Sequence, residues 1–438
     1  MAFRLSSIVS KYYNQSERGK SASGIWMPLF SGIKIRAHRL MERFHHAHSL
    51  LNDGDVYENW KYVLALLHLE REDEETTSSF SESLIRVSLI CWLFVSSFRM
   101  GFTVLLNVDG IGHHIWGNTL FHIGAIGKFA CVCCGIALIQ CTLLMAAFFR
   151  LNQKKGLLFL STLKGLTSHP NREVRRVKNQ LARQVLKLTV AAHCVILLGA
   201  WMTAVVLCIN NCYVSETVFQ RLMWIFWGIM DVPTLTIAPT ALVYPPAVWL
   251  FLVLSLHMDM KVLAHKVRQQ KGSRTPDFEQ IEERYGCLIT DVIKMAPLFS
   301  SMVTIYVICS LPLITTLAYT LQHLDNVIFT VSIVTAAGPM IGLALAFLAV
   351  STRINHAAEL LHHQLSGFAV TNSGHLTTKK RQLLLKMLEE LGSEDRVLAL
   401  YTSDGQKFTS ERYFFYVIET AMTYMLLITL ENFLMKWA

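Results

Sequence analysis

Leu151–Gln184, LNQKKGLLFLSTLKGLTSHPNREVRRVKNQLARQ, is the stretch on which the fold turns. It carries Lys154, Lys155, Lys164, Arg172, Arg175, Arg176, Lys178 and Arg183 against a single acid, Glu173. Apolar runs of spanning length flank it, Thr119–Phe149 before and Val185–Ile209 after. Positive charge next to a spanning run resists translocation, so this segment is expected in the cytosol with both neighbours crossing the bilayer.

Working outward, five more apolar runs are long enough to span: Leu84–Leu106, Met223–Leu256, Pro297–Thr320, Val327–Val350 and Tyr413–Leu434. Pro233, Pro239, Pro245 and Pro246 are expected to kink the fourth span of the chain or divide it into two elements. The basic connections Lys261–Lys294 and Arg353–Lys407 fall on the same side as Leu151–Gln184. The alternate connections, Asn107–Trp116, Asn210–Arg221 and Leu321–Asn326, hold one basic residue between them, Arg221. The expected fold class is therefore all-α, a polytopic membrane protein of seven transmembrane helices with a cytosolic N-terminus and an extracellular C-terminus.

Composition agrees. The 438 residues are 53% hydrophobic and 16% charged, with mean hydropathy +0.39, more apolar surface than one soluble core of this length buries. Retention of positive charge on the cytosolic side accounts for the net charge of +9, so no nucleic-acid partner is expected. Residues 1–80 are strongly charged, lack a signal-peptide core and read as a cytosolic region. Residues 81–438 form the transmembrane domain, with a cytosolic segment at 351–412 and a last helix at 413–437. Three short motifs invite chemistry. His356, Glu359, His362 and His363 stand at helical spacing and, with His45, His46 and His48, suggest a histidine-box metalloenzyme as the alternative to a binding protein. Cys208 and Cys212 flank an expected extracellular turn, where a short-loop disulfide could form; Cys131, Cys133 and Cys134 lie in an apolar span as packing thiols.

Ionisable groups within spans are costly and mark functional positions: Arg86, Arg99, Lys128, Asp231 and Glu419. Asp231 could pair with Lys128. The aromatic residues of the outer halves either form an interfacial belt or, with Asp231, a small-molecule pocket; His122, Trp201, Trp227, Asp231 and Tyr319 are the candidate ligand-binding residues. At 100 degrees per residue, Tyr416, Thr420, Thr423, Leu427 and Glu431 share a stripe of the last span, with Tyr424 at its edge. Such a seam either bridges helices or, with several copies around an axis, lines a water-filled path in which Glu431 favours cations.

The run Ala399–Phe433, ALYTSDGQKFTSERYFFYVIETAMTYMLLITLENF, resembles the C-terminal signature of the invertebrate gustatory and odorant receptor superfamily. Thr423-Tyr424 followed by apolar residues matches the pattern; Leu430 and Glu431 stand where the pattern has Gln-Phe. The resemblance implies a gustatory-type chemoreceptor of the plasma membrane that is a ligand-gated, non-selective cation channel. It implies a homo- or heterotetramer, with membrane lipid, a small-molecule ligand and permeating cations as partners. No cofactor, metal or catalysis is expected on this reading. Carried over by position, the pore-lining residues are Thr423, Tyr424, Leu427 and Leu430, with Glu431 at the altered motif position; the polar stripe adds Thr420. A small-solute transporter is a further alternative, which internal inverted repeats would signal.

Overall fold

The structure, a computed structural model, describes residues 56–66, 80–105, 125–155, 172–215, 217–273, 276–323, 327–392, 398, 400–401 and 405–437. The chain divides into a short N-terminal unit, Met1–Asn59, and a main unit, Trp60–Ala438. Nine helices are described: α1 (Val56–Leu66), α2 (Phe80–Leu105), α3 (Ala125–Lys155), α4 (Arg172–Val214), α5 (Val218–Gln269), α6 (Phe278–Gln322), α7 (Val327–Asn372), α8 (Thr378–Gly392) and α9 (Ser410–Trp437). Among the described residues the only extended pairing is an isolated bridge, Tyr401 with Lys407.

Five helices, α3 to α7, hold stretches long and apolar enough to cross a membrane. The protein is thus an all-α, multi-pass membrane protein. At 1.5 Å per residue, α2 and α9, of 26 and 28 residues, also reach about 40 Å, but both carry several ionisable residues.

The helices begin where the sequence supplies caps. Thr217 starts α5 with a capping box: its hydroxyl accepts from the Gln220 N–H, and the Gln220 side chain accepts from the Thr217 N–H. Asp277 caps α6 by accepting from the Gln280 N–H at 3.2 Å.

Of the two outcomes expected for the fourth span, a kink or a division into two elements, the division does not occur. α5 runs unbroken for 52 residues through Pro233, Pro239, Pro245 and Pro246. Residues Pro239–Trp249 are all buried, in a helix that packs on α3, α4, α6 and α7, and that packing holds the helix at Pro239, Pro245 and Pro246, where proline removes backbone hydrogen bonds; Pro233 is exposed.

α4, α5, α6 and α7 continue well past their apolar stretches, so most of the expected cytosolic connections are helical. They are closed by two buried asparagines. Asn372 accepts from the Gly272 N–H at 2.9 Å and donates to the carbonyls of Gln270 and Ser273 at 3.3 Å, tying the end of α7 to the turn after α5. That turn needs Gly272, whose φ is +77°. Asn355 donates to the Phe408 carbonyl at 2.5 Å and accepts from the Leu400 N–H, fixing the lead into α9. α8 packs on α7, and the Tyr285 hydroxyl of α6 donates to Glu390 of α8 at 3.1 Å. Burial, with the Glu390 carboxylate beside it, raises the Tyr285 pKa above its usual value.

Candidate functional site

α9 meets the rest of the chain along one stripe, against α6 and α7. Tyr413, Tyr416, Thr420 and Tyr424 recur at helical spacing and are half-buried on that stripe. The Tyr424 hydroxyl donates to the Gln322 side chain at the end of α6, 2.7 Å away. The opposite faces present Phe415 (62% exposed), Met422 (67%) and Leu426 (67%).

The seam expected from spacing is therefore divided. Thr420 and Tyr424 face α6 and α7 of their own chain, whereas Thr423 is exposed, its hydroxyl donating to the Glu419 carbonyl. Leu427, Leu430 and Glu431 occupy α9 at the same register, with side chains outside the described residues.

Between the three helices lies a half-enclosed cavity of about 280 Å³. Tyr306, Ser310 and Ala318 of α6, Ala344 of α7, and Tyr416, Thr420 and Ala421 of α9 line it. A second space, of about 10 Å³, adjoins it through Tyr306, Ser310 and Ala344 and is closed by Gln140 of α3. There the Gln140 amide donates to the Ser310 hydroxyl at 3.0 Å, while its carbonyl oxygen is buried without a partner. The Tyr306 ring stacks on Phe347 at 4.7 Å, and its hydroxyl has no hydrogen-bond partner among the described residues.

A second polar group lies between α2 and α5. Arg99 donates to Asp231 at 2.6 Å, with side chains 9% and 18% exposed, and its guanidinium sits 4.5 Å from the Trp227 ring. Trp92 donates to Thr234 at 2.9 Å, and Ser96 shares a hydrogen bond with the same hydroxyl. Asp231 is thus paired with Arg99, where the sequence reading offered Lys128, whose side chain lies outside the described residues. A desolvated ion pair at an intramembrane position holds α2 against α5 and leaves Asp231 one carboxylate oxygen for other contacts.

Of the five candidate ligand residues, Trp227 and Asp231 are brought together at Arg99. Trp201 is half-buried on α4, and Tyr319 is half-buried on α6 with its ring 4.6 Å from His323. His122 lies outside the described residues. Cys208 and Cys212 are free thiols one turn apart inside α4, not on either side of a turn, because the helix extends to Val214. They point to the carbonyls of Trp224 and Arg221 on α5, each at 4.0 Å.

Along α7, His356 and His363 are exposed and His362 is half-buried, its ring 3.3 Å from the site of a Cβ on Gly392. Among the described residues no three His, Cys, Asp or Glu side chains gather closely enough to hold a metal. His45, His46 and His48 lie outside the described residues.

The sequence reading missed Gln140, Tyr306 and Ser310. Gln140 had a signal, as the lone carboxamide in the apolar run Ala130–Phe149. Tyr306 and Ser310 had none, since isolated hydroxyls are common in spanning helices.

No family model matches the chain, and no curated protein matches it in sequence. In structure it is similar to the insect olfactory receptor OR5 from Machilis hrabei, with a TM-score of 0.64 over 85% of this chain and 98% of that one, at 10% sequence identity. The same receptor solved in complex with eugenol gives the same values. The two proteins share a fold.

Proposed function

We propose that the protein is a chemosensory receptor subunit of gustatory type, a ligand-gated, non-selective cation channel of the plasma membrane. The observation that carries this reading is the fold shared, over 85% of this chain, with an insect olfactory receptor that is also solved in complex with eugenol. The Thr423-Tyr424 signature on α9 supports the gustatory assignment.

On this reading α2 to α7 and α9 are the seven spans, with the N-terminus cytosolic and the C-terminus outside, as the basic segments require. Four subunits place their α9 helices around a common axis. The exposed α9 face holding Thr423 turns to the pore, with Leu427, Leu430 and Glu431 further along it, while Thr420 and Tyr424 couple α9 to α6 and α7. A small organic ligand enters from outside among the helices that carry Trp201, Trp227, Asp231 and Tyr319. Its tighter binding to the open arrangement shifts the equilibrium toward conduction.

The test is current recording from the protein expressed alone and reconstituted, while sugars and bitter compounds are screened. Ligand-dependent cation current is the expected outcome, with Glu431→Gln lowering cation preference through its effect near the outer mouth. Permeation indifferent to Glu431 in an active channel overturns the pore assignment. Purified tetramers that bind a screened ligand without conducting overturn the channel reading.

A further inference from the structure

We infer that the 280 Å³ cavity between α6, α7 and α9 is a second ligand site, for a small apolar molecule bearing one hydroxyl or carbonyl group. This is separate from the outer-half pocket proposed above, and its effect on gating rests on the channel reading.

Size comes first. A dry apolar cavity of roughly 150 Å³ is enough to hold benzene. Nearly twice that volume, lined mainly by aliphatic and aromatic side chains, suits a body of up to about eleven non-hydrogen atoms, taking ~25 Å³ of cavity per atom by the same comparison.

Chemistry then narrows the class. Several of the lining hydroxyls are already engaged: Thr315 donates to the Pro312 carbonyl, Thr420 to the Tyr416 carbonyl and Tyr424 to the Gln322 side chain. Ser310 is held by Gln140. Tyr306 is different. It is 2% exposed, its ring is fixed on Phe347, it borders both spaces, and its hydroxyl is unpartnered among the described residues. Next to it, the Gln140 carbonyl oxygen is itself buried and has no partner among the described residues. A buried polar atom without a hydrogen bond is costly, so this corner favours an occupant that brings a donor or acceptor while its apolar part fills the larger space. No charged side chain lines either space, which excludes ionic ligands.

The site lies directly behind α9. An occupant wedges between Tyr416 and Ala421 on one side and Ala318 and Ala344 on the other, so it bears on the stripe by which α9 is held. A molecule that fits one position of α9 better than another biases that position by the difference in its affinity.

The experiment uses a diazirine analogue of octanol as the probe, photolysed with the full-length protein in lipid nanodiscs, followed by peptide mapping. Saturable labelling of the peptides containing Tyr306 and Tyr416 is expected, displaced by unlabelled octanol. Ala421→Phe, which fills the cavity from the α9 side, is expected to abolish that labelling. Tyr306→Phe keeps the shape and is expected to weaken probe affinity about fivefold, the worth of one hydrogen bond. Labelling that is non-saturable, spread over all helices, or unchanged in both variants overturns the site. Recordings on the same variants address the gating effect: specific labelling with no probe effect on current sinks the coupling to α9 and leaves the site standing. A protein without any current fails the channel reading alone.

Discussion

α5 and α9 are both long and apolar, yet the molecule treats them oppositely. In α5 the most apolar stretch is 78% buried, enclosed by α3, α4 and α7. Among the described residues α9 packs chiefly on α6 and α7 along one stripe and leaves Met422, Met425 and Leu426 about two-thirds exposed. Between membrane helices there is no strong hydrophobic drive, since lipid tails are as apolar as leucine; close packing and a few hydrogen bonds set position. α5 is therefore placed by its own chain. α9 needs lipid or other subunits to complete its surroundings, and a cavity separates it from part of what it does touch. The contrast identifies α5 as the fixed frame and α9 as the element that can shift.

The largest expected effect tests that contrast directly. Trp249 of α5 is fully buried, its ring tilted against Phe347 with centroids 6.1 Å apart, and it donates to Ser351 at 3.2 Å. Trp249→Ala should lower stability by about 3–5 kcal/mol, read as a fall in Tm of the detergent-purified protein. Met422→Ala on α9 should change it by less than about 0.5 kcal/mol. Comparable losses from the two substitutions would erase the distinction between frame and mobile element.

Next in size is the Arg99–Asp231 pair, which secures α2 to the frame. Asp231→Ala leaves a guanidinium in apolar surroundings and should cost about 3 kcal/mol, whereas the double replacement Arg99→Leu with Asp231→Leu should recover most of that loss. If the double variant is as unstable as the single one, the pair's role is not simple electrostatic satisfaction, and the N-terminal half of α5 is less rigid than the frame requires.

How much of this was visible in sequence differs between the two helices. Span positions, the basic connections and the side-chain types on α9 follow from hydropathy, charge and helical period, which are local. The division of α5 that its prolines offered as an alternative is absent because Pro239, Pro245 and Pro246 are buried against neighbouring helices, a tertiary effect that local propensity does not contain. On α9 the period put Thr420, Thr423 and Tyr424 near one stripe, but it could not say which side α6 and α7 occupy. Likewise Arg99 and Asp231 were each conspicuous, yet their pairing spans 132 positions and depends on how α2 lies on α5. The cavity was illegible for the same reason: Tyr306, Ala344 and Tyr416 acquire meaning only where three helices fail to fill space together.

The smallest expected effect bears most closely on how α9 moves. Tyr424→Phe removes the 2.7 Å hydrogen bond to Gln322 and little else, as the ring stays half-buried. Interhelical hydrogen bonds in membranes are worth about 0.6 kcal/mol, which is roughly threefold in an equilibrium constant. On the proposed channel reading, if the bond is made only when α9 rests against α6, Tyr424→Phe should raise open probability about threefold in single-channel recordings, with the thermal stability almost unchanged. Gln322→Ala should do the same, and the double variant should add nothing further, since either change alone removes the bond. Additive effects of the two substitutions would mean that Tyr424 acts on gating through some other contact and that the α6–α9 hydrogen bond is not the latch between frame and moving helix.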